Sequence, residues 1–499
     1  MNVERRSGPK ASSANKEKRT GRVYTPPAVV KTLLDHAGYV GNVVGRHIVD
    51  NSCGDGAFLE QVARRYVAAF RARSGHDNAE LAQDLRRYIH GVDLDPDALV
   101  ACNNRLHAVA VDLGIDGVAW DLHQANTLRL TDFRQSMDFV VGNPPYVRVH
   151  NLGSSAIDVR TLTFSADGMT DLYLAFFDVG IQMLAPEGRL CFITPSSWLT
   201  SKAGGAFRTH LARNGTLTSV VDFGHHQAFD ATTYSLIARI DGHSQGPEVA
   251  YHEYDPRQAA AVYQYNVRFA EAHMPSGIFF GQSAELADFR RIVSSESDGQ
   301  PAVVVRNGFA TLADGVFIGD FAFADGIIPV VKASTGQVRQ CVFPYQPDGT
   351  PLTESEFERT APLAMAHLRQ HRTALTERSL DARTAWHQFG RSQALRDVGQ
   401  AKFAINSLLQ TTDQIRIVAA PPAHGVYGGL YFRGGPGPQE VRRVLATQEF
   451  MSYIKMLRKY KSGGYYTFSA EDLSRFLTHA FAVDSVRQQG QRRRVGAAG

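Results

Sequence analysis

The stretch Asn143-Pro144-Pro145-Tyr146 says most about what chemistry this 499-residue chain performs. It follows the apolar run 139–141 and Gly142, which reads as a buried strand. Two prolines end ladder hydrogen bonding at once, so the tetrapeptide sits at the carboxyl end of that strand. Ligands of open α/β sheets bind at that edge. The Asn143 side-chain oxygen and the Pro144 carbonyl, flanked by prolines, suit both hydrogens of a planar amino group on an aromatic ring. Two acceptors draw the nitrogen lone pair out of conjugation and free it to attack an electrophile. Tyr146 is placed to stack on the ring. A proline-stabilised strand exit with a core tyrosine is the alternative reading.

A second segment, Asp50-Asn51-Ser52-Cys53-Gly54-Asp55-Gly56-Ala57-Phe58, links a strand to a helix. Gly54 and Gly56 permit a tight turn and close approach of a ligand to the backbone. The segment is not a dinucleotide fingerprint, and its support comes from the following strand, Gly91-Val92-Asp93-Leu94-Asp95-Pro96. Asp93 ends that strand, where a carboxylate holds the two hydroxyls of a ribose. Two aspartates capping the helices that follow would account for the same pattern. Asn126 follows a further strand in His-Gln-Ala-Asn-Thr-Leu. In Gly21-Arg22-Val23-Tyr24-Thr25-Pro26-Pro27, Thr25 is expected to N-cap a helix that opens at Pro26 and carries Val29, Leu33 and Leu34. A helix start with a free hydroxyl suits a carboxylate ligand, although plain capping explains it equally.

These residues need a scaffold, and the pattern from Gly21 to about residue 245 supplies one. Short buried strands alternate with amphipathic helices, which implies a mostly parallel α/β sheet. The strands are residues 47–50, 88–94, 139–141 and 189–194; Phe58, Val62, Tyr66 and Phe70 mark one helix face. A helix over 172–184 lies between the last two strands, with Pro186-Glu187-Gly188 expected to break it. Beyond residue 245 the texture is irregular, with Gly/Pro clusters such as 424–438. The expected organisation is a flexible basic tail over 1–20, a catalytic domain over 21–275 and a mixed α/β domain over 276–499.

Charge follows the same division. Residues 1–22 carry seven Lys/Arg against two Asp/Glu, residues 23–275 carry 20 against 27, and residues 276–499 carry 26 against 20. A basic C-terminal half beside an acidic N-terminal half suggests that one part faces a polyanion. The four scattered cysteines, with no C-x-x-C pair, point to a reducing compartment and away from a zinc site. No apolar run is long enough to span a membrane, and the charged N-terminus lacks the apolar core of a secretory signal.

Taken together, these segments resemble the gamma-class adenine-N6 DNA methyltransferases of restriction–modification systems. The helix-start motif, the Asp50–Gly56 turn, GVDLDP, QANTL, VVGNPPY, DLYLAFF and QAFDATTYSLI occur in that family's order over residues 21–240. The resemblance implies a Rossmann-like S-adenosylmethionine-dependent methyltransferase sheet followed by a C-terminal target-recognition domain. It implies that Thr25, Asp50, Ser52, Gly54 and Gly56 line the methionine end of S-adenosylmethionine. Asp93 would bind the ribose, and Asn126, which stands where the family usually has Asp, would meet the adenine amino group. Asn143, Pro144, Pro145 and Tyr146 would hold a flipped target adenine, with Phe229 stacking on its other face. The glycine turn is divergent from the family's, which leaves the role of Ser52 open.

The mechanism so implied is direct, in-line methyl transfer, in which positioning and electrostatics replace a strong base or a metal. The partner would be double-stranded DNA, met through phosphate contacts of the basic half, with candidates in 369–396 and 455–461. Protein-glutamine and ribosomal RNA methyltransferases also carry N-P-P-Y, but they need neither the N-terminal motif nor a basic extension. The family further implies a cytoplasmic monomer, read as the modification component alone with any cognate nuclease encoded separately; an orphan regulatory methyltransferase fits equally well.

Overall fold

The computed structural model describes residues 24–74, 77–148, 159, 162–165, 171–229, 233–294, 303–392 and 394–496, excepting the side chains of Ser74 and residues 484–496. The basic stretch 1–20, with Gly21, Arg22 and Val23, lies outside the described residues. The chain divides into two compact units at Leu286/Ala287, eleven residues beyond the boundary read from sequence. That division falls inside the helix Ser283–Ser294, whose continuous periodicity hides it from a reading based on composition.

The first unit is built on a nine-stranded sheet. Its strands are β1 (Ile48–Asp50), β2 (Ile89–Asp93), β3 (Asp121–Gln124), β4 (Met137–Gly142), β5 (Leu184–Pro195), β6 (Leu217–Asp222), β7 (Ser235–Asp241), β8 (Glu248–Asp255) and β9 (Ala260–Arg268). They lie in the order β3-β2-β1-β4-β5-β7-β6-β8-β9. Strands β1 to β5 are mutually parallel, and β7 runs antiparallel to both β5 and β6. This is the mostly parallel, Rossmann-like sheet expected from sequence. The order reverses between β1 and β4, leaving a crevice at the carboxyl ends of adjacent strands. The sheet continues past residue 245, because β8 and β9 form an antiparallel edge hairpin. Exposure of their outer faces makes them read as polar irregular chain.

Helices α1 (Pro27–Ala37), α2 (Ala57–Ser74), α3 (Asn78–Tyr88), α4 (Pro96–Asp112) and α5 (Leu172–Met183) serve this sheet. The α2 residues Phe58, Val62, Tyr66 and Phe70 are all buried, as their spacing requires. Helix α5 stops at Met183 and the chain enters β5 directly, ahead of Pro186. A proline drives the residue before it out of the helical region, so the helix ends upstream of the break read from sequence. Among the described residues no helix is long and apolar enough to cross a membrane.

A polar chain ties the first three strands together. His47 Nδ1 meets His90 Nε2 at 3.0 Å, and His90 Nδ1 meets Asp121 Oδ2 at 2.6 Å. His123 Nε2 meets the same oxygen at 3.0 Å. Among the described residues the second unit carries two four-stranded sheets, whose residues join a core that includes Phe309, Phe317, Phe389 and Tyr431, and a separate three-stranded sheet. Its sheets and helices make it a mixed α/β unit.

Burial alone raises the Asp121 carboxyl, but hydrogen bonds from His90 and His123 outweigh it and bring it down to about 2. A carboxyl depressed on folding contributes stability above its unfolded value, about 3.9, and loses it as pH falls through the folded value. Asp121→Asn is therefore expected to lower the urea midpoint at pH 7, with the gap to wild type narrowing below about pH 4. A gap independent of pH would show that the ion pairing contributes nothing.

Candidate functional site

Parallel register brings the informative residues to one edge. Asp50 pairs with Gly91 on one side and Val141 on the other, so the tips of β1, β2 and β4 finish together. Gly142, at the tip of β4, adopts φ +150°. A Cβ there would lie 2.7 Å from Asp50 Oδ1, so any larger residue would push the Asp50 carboxyl aside. Asp50 is 1% exposed, and its Oδ1 accepts the Ser52 backbone N–H at 3.1 Å. Burial is the main force that pushes the Asp50 carboxyl up to about 8; the Ser52 N–H opposes it, and the neighbouring Asp93 and Asp55 carboxylates add to it.

The turn after β1 is pinned from below and open above. The Cys53 N–H donates to the Val92 carbonyl at 2.9 Å, and the Gly54 N–H donates to Asp93 Oδ2, also at 2.9 Å. The other Asp93 oxygen accepts the Asp95 N–H at 2.8 Å. Gly54 has φ +54°, and a Cβ built on it meets nothing within 4 Å, so this backbone borders open space. Asn51 is fully buried, yet both atoms of its carboxamide lack a hydrogen-bond partner among the described residues, as does the Ser52 hydroxyl. Polar atoms in that state usually await a ligand or water.

Asn126 lies past the end of β3, where its side chain accepts the Leu128 N–H at 3.1 Å and so caps the turn Thr127–Arg129. Thr127 donates its hydroxyl to the Asn51 carbonyl at 2.6 Å, tying that turn to the β1 tip.

At the β4 tip the Asn143 Nδ2 donates to Thr25 Oγ1 at 3.0 Å. Pro144 is buried and Pro145 is half-buried. Tyr146 is half-buried, its hydroxyl donates to the Ile193 carbonyl at 3.2 Å, and burial pushes the phenol well above its ordinary range. Its ring meets Tyr173 and Phe229 edge to face, the latter at 6.0 Å between centroids with 73° between planes.

One sequence expectation needs correction. Thr25 is not the N-cap of α1: Pro26 holds that position without a side-chain cap bond, and Pro27 opens the helix. The Thr25 hydroxyl is instead turned to Asn143, because the proline after it keeps Thr25 extended. In the second unit, Arg369 is engaged by Glu354 and Glu358, Arg378 donates to the Thr311, Trp386 and Gln388 carbonyls, and Lys459 pairs with Asp472. Those three cations serve the unit's own structure. Sequence reasoning missed Asn51 and Thr127; an asparagine directly after a buried strand was the available signal for the first.

Residues 87–229 match the model of the Eco57I restriction-modification methylase family. The chain is 29% identical over 333 residues to the type II methyltransferase M.XhoI of Xanthomonas vasicola, spanning 60% of each protein. It is 25% identical over 408 residues to the type II methyltransferase M.BstVI of Geobacillus stearothermophilus, spanning 72% of each. Among solved structures, the Type IIL restriction-modification enzyme MmeI, determined in complex with DNA, shares the fold with TM-score 0.60 at 14% identity. That match covers 89% of this chain and 63% of MmeI. By these matches the chain is similar, over part of its length, to the type II restriction–modification methyltransferases.

Proposed function

We propose that this protein transfers a methyl group from S-adenosylmethionine to the exocyclic amino group of adenine in duplex DNA, as a site-specific modification enzyme. The observation that carries the reading is the junction at Gly142: an acceptor-bearing Asn143 directly beyond it, and the buried Asp50 of the glycine turn in contact with it. A nucleophile site and an electrophile site then share one strand edge. Asparagine rather than serine at position 143 favours adenine-N6 over cytosine-N4.

The residues present fit the cofactor. Burial, helped by the nearby Asp93 and Asp55 carboxylates, disfavours a charge on Asp50, and a bound sulfonium and ammonium would favour it. The unpartnered Asn51 carboxamide and Ser52 hydroxyl offer both donors and acceptors, and the open face of Gly54 admits close backbone approach. Asp50, Asn51 and Ser52 would hold the methionine end, Asp93 the ribose hydroxyls, and Asn126 the adenine amino group. When bound, S-adenosylmethionine supplies a methyl group already activated for displacement.

The chain's own residues then have to bind, orient and exclude water. The Asn143 carboxamide oxygen and the Pro144 carbonyl accept the two amino hydrogens and direct the lone pair toward the electrophile. Tyr146 offers its ring face to the base while its hydroxyl stays anchored to Ile193. For Phe229 to close the opposite face, its ring must turn out of the edge contact with Tyr146. Unit 2 is proposed to contact the duplex and read its bases, and the cognate nuclease is proposed to be a separate chain.

Long-read sequencing of genomic DNA from a methylation-free host expressing the protein tests the reading. Modified adenine confined to one short motif supports it; unmodified DNA from cells with soluble, cofactor-binding protein moves the substrate to RNA or protein. Asn143→Ala is expected to abolish methylation while sparing DNA binding, and retained methylation would remove Asn143 from its role. Affinity for duplex DNA is expected to fall steadily with log salt, whereas salt-independent binding would count against phosphate contacts.

Asp50→Asn separates stability from function. A carboxyl raised on folding resists ionisation in the folded state, so the wild type loses stability as pH rises from about 4 to about 8. The ligand-free Asn variant is expected to gain in melting temperature relative to wild type across that window and to bind S-adenosylmethionine more weakly. A constant difference in melting temperature would show that Asp50 does not titrate there.

A further inference from the structure

We propose that Thr25 is a positioning residue for Asn143, holding its carboxamide in place at the β4 tip toward the target amino group. The inference rests on the methyltransferase reading above and assigns Thr25 a role other than cofactor contact. An asparagine amide has a donor end and an acceptor end of nearly equal size, and only the acceptor end is useful toward an amino group. A hydrogen bond to a fixed neighbour restrains the rotation of the carboxamide and so keeps its acceptor end available. The Asn143 Nδ2 donates to Thr25 Oγ1 at 3.0 Å, which sends the carboxamide oxygen the other way.

Both partners are held on rigid backbone. Thr25 precedes Pro26-Pro27, and Asn143 precedes Pro144-Pro145. A residue before proline is confined to extended conformations, and each proline fixes its own φ. The bond therefore joins two X-Pro-Pro segments that have little freedom to part. Thr25 is 4% exposed, so water does not compete for its hydroxyl.

The test compares Thr25→Val, which keeps the shape and removes the hydroxyl, with Thr25→Ser, which keeps the hydroxyl. Steady-state methylation of unmethylated duplex DNA gives kcat and the KM for DNA, and equilibrium binding gives the Kd for S-adenosylmethionine. The Val variant is expected to lose roughly 10- to 100-fold in kcat, with cofactor Kd and DNA KM shifted less than about threefold. The Ser variant is expected to recover most of the rate. An unchanged kcat in Thr25→Val overturns the proposal, and so does a loss confined to cofactor affinity, which would make Thr25 a cofactor ligand. Should Thr25→Val fail to fold, Thr25→Ala against Thr25→Ser makes the same comparison. Wild-type protein with no activity on DNA would instead overturn the functional reading and this proposal with it.

Discussion

The contact between Gly142 and the Asp50 carboxyl constrains the whole edge of the sheet. It exists because β1 lies between β2 and β4 in parallel register, so that Asp50 ends one residue short of the β4 tip. A side chain at position 142 would occupy the place of Asp50 Oδ1. With glycine there, a buried carboxyl and the tetrapeptide that follows share a wall. The cost is electrostatic: a carboxyl sealed from water beside Asp93 ionises only near pH 8. The cationic cofactor proposed above would offset that penalty.

Around that contact, hydrogen bonds of the backbone do most of the positioning. The Asp93 carboxylate accepts the N–H groups of Gly54 and Asp95, and so joins the turn after β1 to the turn after β2. Thr127 joins the turn after β3 to the carbonyl of Asn51. Three loops from three strands thereby move as one surface, although each is irregular by itself. Tyr146 is bound in the same way to the neighbouring β5 through Ile193, so the tetrapeptide is fixed at both ends, by Thr25 and by β5.

The second unit shows how misleading a run of charges is. Buried Lys402 spends its ammonium on the carbonyls of Asp397, Val398 and Gln400, and burial lowers its pKa to about 8. Asp397, also buried, gathers Arg306, Arg433 and the Tyr431 hydroxyl. These cations hold strands and turns together, and so do Arg369 and Arg378. Net charge of a segment states how many cations it has; their availability to a polyanion depends on partners brought from distant positions.

What the sequence determined by itself was whatever depends on local covalent chemistry. Consecutive prolines after an apolar run end a strand, glycines permit a turn, and helical spacing at Phe58, Val62, Tyr66 and Phe70 marks a buried face, whatever lies around them. The residues at strand tips followed from these, but the order of the strands in the sheet did not. What the tertiary structure alone decided was pairing across long separations: Thr25 with Asn143 rather than with its own helix, Thr127 with Asn51, and Phe229 edge-on to Tyr146. Hydroxyls and amides choose among partners by distance and angle, and those are set by the packing of elements more than a hundred residues apart in the case of Thr25 and Asn143. Periodicity and residue type carry no record of that choice.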